Sequence, residues 1–327
     1  PDDDDDPAPF MRVLVSAVRA DGTIDATALA AASHCRGHSV LMRLAHRASF
    51  KARRFQDPPT PLTKATLATC TTRGAQALLL VSALTPLTQL NSDQARFLLC
   101  NRLNIPLPSP LINGPPYKCH PDCANDRKLH LACPHGYHQS MCPKFWLTST
   151  RHNEWLHFLK LTLQKWMGYS CIEGNYLHHS ADTGKKVDLL IHALDRPDDH
   201  PVMADPTFMC TQSRSYLPRA SRNLPGLLQS READKDDKHG PGCRGIDREF
   251  VAMVLTVQGS AAPCFWVWWD KAWLRALHRH LATGGTPQDV TVARHQALAA
   301  LQAVTVRCTT IALLRLQTDP NHPAGRP

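Results

Sequence analysis

The chain has 327 residues, of which 43% are hydrophobic, and it carries a formal net charge of +9 with a pI near 9.1. This composition supports a real core and about two or three domains, and the absence of an apolar run near ~18 residues argues against a membrane span. The positive charge favours a polyanionic partner, with nucleic acid preferred to an anionic membrane surface or to a basic surface that binds nothing.

The sequence opens with PDDDDD rather than with a basic segment followed by an apolar run, so no secretory signal is visible and we expect an intracellular protein and, with nucleic acid as its partner, a nuclear location. The 12 Cys then indicate buried thiols or metal ligands before disulfides.

The first region, residues 1–112, is predicted to be helical and basic. Its cations Arg43, Arg47, Lys51 and Arg54 are spaced so that they share one helical face. Such a stripe is typical of a surface that follows a phosphate backbone, and equally of a solvated helix face. Further along, Ser92 is predicted to cap a helix that ends before Pro106.

Cys and His are concentrated in CHPDCANDRKLHLACPHGYHQSMC, which runs from Cys119 to Cys142. A structural zinc site takes four Cys or His ligands in a tetrahedron, and four protein ligands leave no position for a water. We therefore predict a structural zinc knuckle over residues 113–148, although 18 His and 12 Cys also make chance clusters common. The preferred ligands are Cys119, Cys123, His138 and Cys142, with His130 and Cys133 as the alternative second pair.

After the knuckle, helices and strands are interspersed. NEWLHFLKLTLQKWMG predicts a helix from Asn153 to Gly168, and KKVDLLIHAL, PVMADPTF and FVAMVLTV predict three strands. Pro206 places the second strand near an edge or a strand end. The segment RNLPGLLQSREADKDDKHGPG is predicted to be polar and mobile. Two further helices are predicted, over WWDKAWLRALHRHLATGG and over residues 290–317.

Three carboxylates accompany the strands: Glu173, Asp188 and Asp205. Carboxylates on adjacent strands can hold Mg²⁺, which prefers hard oxygen ligands and supports phosphodiester cleavage. A lysine often completes such a site by steadying phosphate charge, and Lys186, Lys235 and Lys238 are the candidates. Each acid taken alone is equally typical of a residue that faces solvent or caps a turn.

The order of these pieces resembles a known family. It is similar to the region downstream of the reverse transcriptase in site-specific non-LTR retrotransposons, and the similarity covers most of residues 72–317. Each motif is loose, and the order and spacing carry the resemblance. The matching stretches are GYHQSMC, Arg151-His152-Asn153, Glu173, KKVDLLI, Asp205-Pro206-Thr207 and Lys235-Asp236-Asp237-Lys238.

This resemblance implies an α+β fold: a helical N-terminal region, the zinc knuckle, a restriction-like endonuclease core of the PD-(D/E)xK type over residues 149–260, and C-terminal helices over residues 261–327. The core would be a mixed sheet flanked by helices. Asp188 and Asp205 would be the main Mg²⁺ ligands, with Glu173 as a third, and Lys186, Lys235 or Lys238 would be the orienting lysine. The family cleaves target DNA, so the expected partner of this chain is double-stranded DNA, with element RNA as a further candidate.

Two alternatives remain at this stage. Val187 and Pro206 depart from the family pattern, so the chain could be a zinc-containing nucleic-acid-binding module that has lost its chemistry. It could also be a structural or protein-interaction domain that uses the Trp-rich WVWWDKAW segment, although the spacing of Trp266, Trp269 and Trp273 is equally typical of a buried core. His152 is interpreted as a helix-start residue rather than a DNA contact or a partner of a metal ligand.

Overall fold

In the computed structural model, the structure describes residues 60–80, 87–103, 107, 137, 147–174, 186–193, 200–213 and 215–318. These residues confirm the α+β class. The helices are α1 (Pro61–Cys70), α2 (Arg73–Leu80), α3 (Ser92–Leu103), α4 (Leu147–Thr162) with a π-helical turn after it (Leu163–Met167), α5 (Leu217–Arg244), α6 (Pro263–Ala282) and α7 (Pro287–Thr318). The strands are β1 (Tyr169–Glu173), β2 (Leu189–Ala193), β3 (Val202–Met209) and β4 (Glu249–Thr256).

The four strands form one mixed sheet in the order β1-β2-β3-β4. β1 and β2 are antiparallel, as are β2 and β3, whereas β3 and β4 are parallel and are connected through α5. β2 pairs with β3 only over Val202–Ala204. Pro206 was predicted near an edge or a strand end, but it lies inside β3, an interior strand, and is paired with Met253 of β4. It lies beyond the stretch of β3 that pairs with β2.

One face of the sheet is covered by α4, α6 and α7. Leu189, Ile191 and Met253 contribute to this core from the strands. Trp269 and Trp273 of α6 are 0% and 2% exposed, so these two side chains of the Trp-rich segment belong to the core. The same core includes Leu78 and Phe97 and their neighbours from α2 and α3.

The opposite face is covered by α5 and α1, and here the prediction of a polar, mobile segment is wrong. Leu224, Leu227 and Leu228 of α5 are buried against Ala252 and Val254 of β4. The backbone leaves helical geometry at Asn223 (φ −153°, ψ 84°), and the Asn223 side-chain oxygen accepts a hydrogen bond of 2.9 Å from the Gly226 N–H. Asn223 therefore caps the second helical segment of α5. Pro225 lies in the first turn of this segment, where proline is well tolerated.

Two predicted helix starts also change. α4 begins at Leu147, six residues before Asn153. The cap of α3 is Asn91 rather than Ser92, because the Asn91 and Gln94 side chains each accept a hydrogen bond from the other's backbone N–H, at 2.9 and 3.0 Å. Gly168 ends the α4 unit in the left-handed conformation (φ 67°), as predicted. Among the described residues, no helix combines the length and the apolarity that crossing a membrane requires.

Candidate active site

Strand register brings two of the predicted acids together. Leu189 of β2 is paired with Ala204 of β3 in antiparallel fashion, so the next position along the pair sets Asp188 opposite Asp205. Leu189 and Ala204 belong to the core under α4, α6 and α7. Because side chains alternate along a strand, Asp188 and Asp205 lie on the other face, toward α5, within hydrogen-bonding reach of each other.

Two side chains of α5, Lys235 and His239, lie next to Asp205 and are one helical turn apart. The Lys235 ammonium donates a hydrogen bond of 2.6 Å to Oδ2 of Asp205. Nε2 of His239 lies 3.3 Å from the same oxygen, and the His239 side chain is 2% exposed. Asp205 itself is 8% exposed at its side chain, so its carboxylate is held in a largely water-free setting between α5 and the sheet.

α4 reaches the pair through His152. Nε2 of His152 lies 3.0 Å from Oδ2 of Asp188, and Nδ1 lies 3.1 Å from the side-chain oxygen of Asn153. The interpretation of His152 as a helix-start residue is wrong, since α4 begins at Leu147 and the imidazole contacts a candidate metal ligand. Burial lowers the pKa of His152, but its hydrogen bond to Asp188 and the Asp188 charge outweigh burial and raise it.

The two carboxyl groups have divergent pKa values. Burial, and then the hydrogen bond with Asp188, raise the pKa of Asp205 to about 6, and Lys235 offsets only part of this. Burial also acts to raise the pKa of Asp188. Its hydrogen bonds with His152 and Asp205 outweigh burial, so the pKa of Asp188 is lowered. Two adjacent carboxylates resist ionising together, so a proton or a cation placed between them is stabilised.

The donor set suits a hard divalent cation. Mg²⁺ is commonly bound through one or two carboxylates, with water and substrate phosphate oxygens completing its octahedron. Asp188 and Asp205 supply such a pair. Within the described ranges no cluster of three or more His, Cys, Asp or Glu side chains could hold a metal.

Other predicted site residues lie elsewhere. Glu173 is paired with Leu189 and so lies on the face opposite Asp188, where its carboxylate accepts a hydrogen bond of 3.0 Å from Lys160. Lys186 and Lys238 are exposed, and Lys235 donates a hydrogen bond to Asp205. The predicted zinc ligands and basic stripe fall outside the described residues: Cys119, Cys123, His130, Cys133, His138, Cys142, Arg43, Arg47, Lys51 and Arg54.

His239 is the site residue that the sequence analysis missed. A signal was present, because Asn223 and Pro225 together mark a helix start and a helix would place His239 one turn after Lys235. No protein-family model, curated protein or solved structure matches the chain.

Proposed function

We propose that the chain is a Mg²⁺-dependent endonuclease that cleaves phosphodiester bonds in DNA. The observation that carries this proposal is the facing pair Asp188 and Asp205, with the Lys235 ammonium 2.6 Å from Asp205. A pair of adjacent carboxylates is destabilised when both are ionised, and a divalent cation supplies the missing counter-charge.

Each side chain then has a distinct task. Asp188 and Asp205 would hold the cation, which in this chemistry activates a water and stabilises the departing oxygen. His152 fixes the orientation of the Asp188 carboxylate, and His239 holds Asp205 from the side of α5. Lys235 stands beside the pair, where its ammonium can donate to a phosphate oxygen as charge develops.

DNA as substrate is supported by two further features. The chain carries a net charge of +9, which suits a polyanion. The order of its motifs also resembles the nuclease region of site-specific non-LTR retrotransposons, whose restriction-like sheet carries its acids on neighbouring strands. In this proposal two other parts of the chain bind nucleic acid without cleaving it: the zinc knuckle around Cys119–Cys142 and the basic stripe from Arg43 to Arg54. The protein would act in the nucleus.

The test is nicking of supercoiled plasmid with Mg²⁺ or with EDTA. We expect Mg²⁺-dependent nicking that falls by about 100-fold or more in Asp188→Asn, Asp205→Asn and Lys235→Gln. Asp234→Asn is the matched control, because Asp234 is an exposed acid on the same helix that contacts Arg231 rather than the pair. Lys238→Gln should retain more activity than Lys235→Gln, since Lys238 is exposed.

The same experiment separates this proposal from a module that has lost its chemistry. Wild-type protein that binds DNA and zinc but nicks no plasmid with Mg²⁺ would establish the binding module. Equal nicking by the wild type and the two aspartate variants would trace the activity to a contaminant or to another site.

A further inference from the structure

A basic groove lies on the face of the sheet away from the carboxylate pair. It encloses a cavity of about 380 Å³ between α6 and one end of the sheet, and Ala193, Val202 and Glu249 mark that end. Tyr169 and Trp268 form part of its wall. We call it the α6 groove.

The α6 groove is separate from the candidate active site. Ile191 and Val202, which line it, are paired across β2 and β3 and share the face of Leu189 and Ala204 rather than that of Asp188 and Asp205. Ala193 is also at the far end of β2 from Asp188, about 17 Å away at a rise of ~3.3 Å per residue. One phosphate group could not contact both places.

Basic side chains outnumber acidic ones in the lining. α6 contributes Lys271, Arg275, His278 and Arg279, whose spacing places them along one helical face. His200 adds a further imidazole, which lies 3.3 Å from Asp247. Among the described residues that line the groove, Glu249 is the one acid.

Two of these cations are held in place by the end of the α4 unit. Nε of Arg275 donates a hydrogen bond of 3.0 Å to the Met167 carbonyl, and its guanidinium lies 4.9 Å from the Tyr169 ring centroid. The Arg279 guanidinium lies against Gly168, in space that a Cβ at Gly168 would fill. Guanidinium groups fixed in this way lose little side-chain entropy when they bind an anion.

We propose that the α6 groove is a second nucleic-acid-binding site, which holds a strand by its phosphodiester backbone. From Lys271 to Arg279 the cations extend over about 12 Å of helix, which matches about three or four phosphates at the ~3.4 Å rise of one strand. Because the groove is on the far face, the phosphates it holds are not the phosphate that lies at Asp188 and Asp205. This binding does not depend on nuclease activity.

The test is equilibrium binding of short fluorescent oligonucleotides in EDTA, measured by anisotropy. The probes are single-stranded DNA, RNA of the same sequence and the corresponding DNA duplex, so that their order of affinity identifies the preferred form. Lys271→Glu should weaken binding about three- to tenfold and reduce the dependence of log K on log salt by about one. Lys271→Arg should bind like the wild type.

Lys64→Glu is the matched control, because Lys64 is an exposed lysine of α1 and the substitution changes net charge by the same amount. Equal losses in Lys64→Glu and Lys271→Glu would overturn the proposal, since overall charge would then explain both. An oligoglutamate bound more tightly than any oligonucleotide, and lost in Lys271→Glu, would assign the groove to an acidic protein segment instead. Plasmid nicking is scored separately, so failure of the groove and failure of the nuclease are distinguishable.

Discussion

Asp205 is a buried carboxyl whose neighbours act on its pKa in opposite directions. Burial and Asp188 raise this pKa to about 6, and the Lys235 charge offsets only part of the increase. The folded protein therefore binds the Asp205 proton more tightly than the unfolded chain does, whose carboxyl titrates near 3.8. Ionisation of Asp205 therefore lowers the free energy of unfolding, and this loss develops as the pH rises from about 4 to about 6. The lowered pKa of Asp188 affects the free energy of unfolding at pH values below this range.

Asp205→Asn should thus stabilise the metal-free protein at neutral pH. We expect the free energy of unfolding to rise by on the order of 1–2 kcal/mol at about pH 7.5 and to change little at about pH 4, where Asp205 already carries a proton. Lys235 can turn to solvent when its partner is neutral, because its side chain is 21% exposed. Denaturant titrations at both pH values measure the difference, with Asp234→Asn as the control. Destabilisation confined to neutral pH would mean that the Lys235 ion pair outweighs the burial of Asp205.

The acids of the site could be predicted from the sequence, and their surroundings only in part. Asp188 and Asp205 stand within or directly before apolar runs that also become strands, so their proximity follows from pairing of those runs. His239 could not be found while the segment around it was interpreted as mobile. Its polar composition concealed the buried Leu224, Leu227 and Leu228, whose spacing is helical.

α5 depends on a local signal at Asn223. The Asn223 side chain accepts a hydrogen bond of 2.9 Å from the Gly226 N–H, and this satisfies one of the free donors at the start of the long helical segment. Asn223→Ala should therefore lower the free energy of unfolding by about 1 kcal/mol, whereas Asn223→Asp should retain most of it. Chemical denaturation measures both. Arg222→Ala, at the neighbouring exposed position, serves as the control, and an equal loss there would argue against a capping role.

At the scale of the whole molecule, a buried side chain of α7 connects α2 to the segment that follows β4. Gln302 of α7 accepts a hydrogen bond of 2.9 Å from the Leu78 N–H and donates 2.9 Å bonds to the carbonyls of Ala75 and Gln258. Gln258 follows β4 and also donates to Asn101 of α3 at 3.1 Å. The sequence predicted α3, α7 and a helical region around α2 but not this connection, because single glutamines carry no periodic signal and find their partners only after the elements pack.

Gln302→Leu should destabilise the whole described fold rather than one helix. The substitution leaves the Leu78 N–H and two carbonyls buried without their partner, at a cost of about 1–3 kcal/mol. Gln296→Leu, at an exposed position of the same helix, should change stability by less than about 0.5 kcal/mol.

Unfolding followed by tryptophan fluorescence reports on Trp269 and Trp273 in the core, and far-ultraviolet circular dichroism reports on the helices. Because α2, α3, α6 and α7 share one core with the sheet, both signals should shift together to the same lower midpoint. Midpoints that separate in Gln302→Leu would instead show that α2 and α7 unfold independently of the sheet.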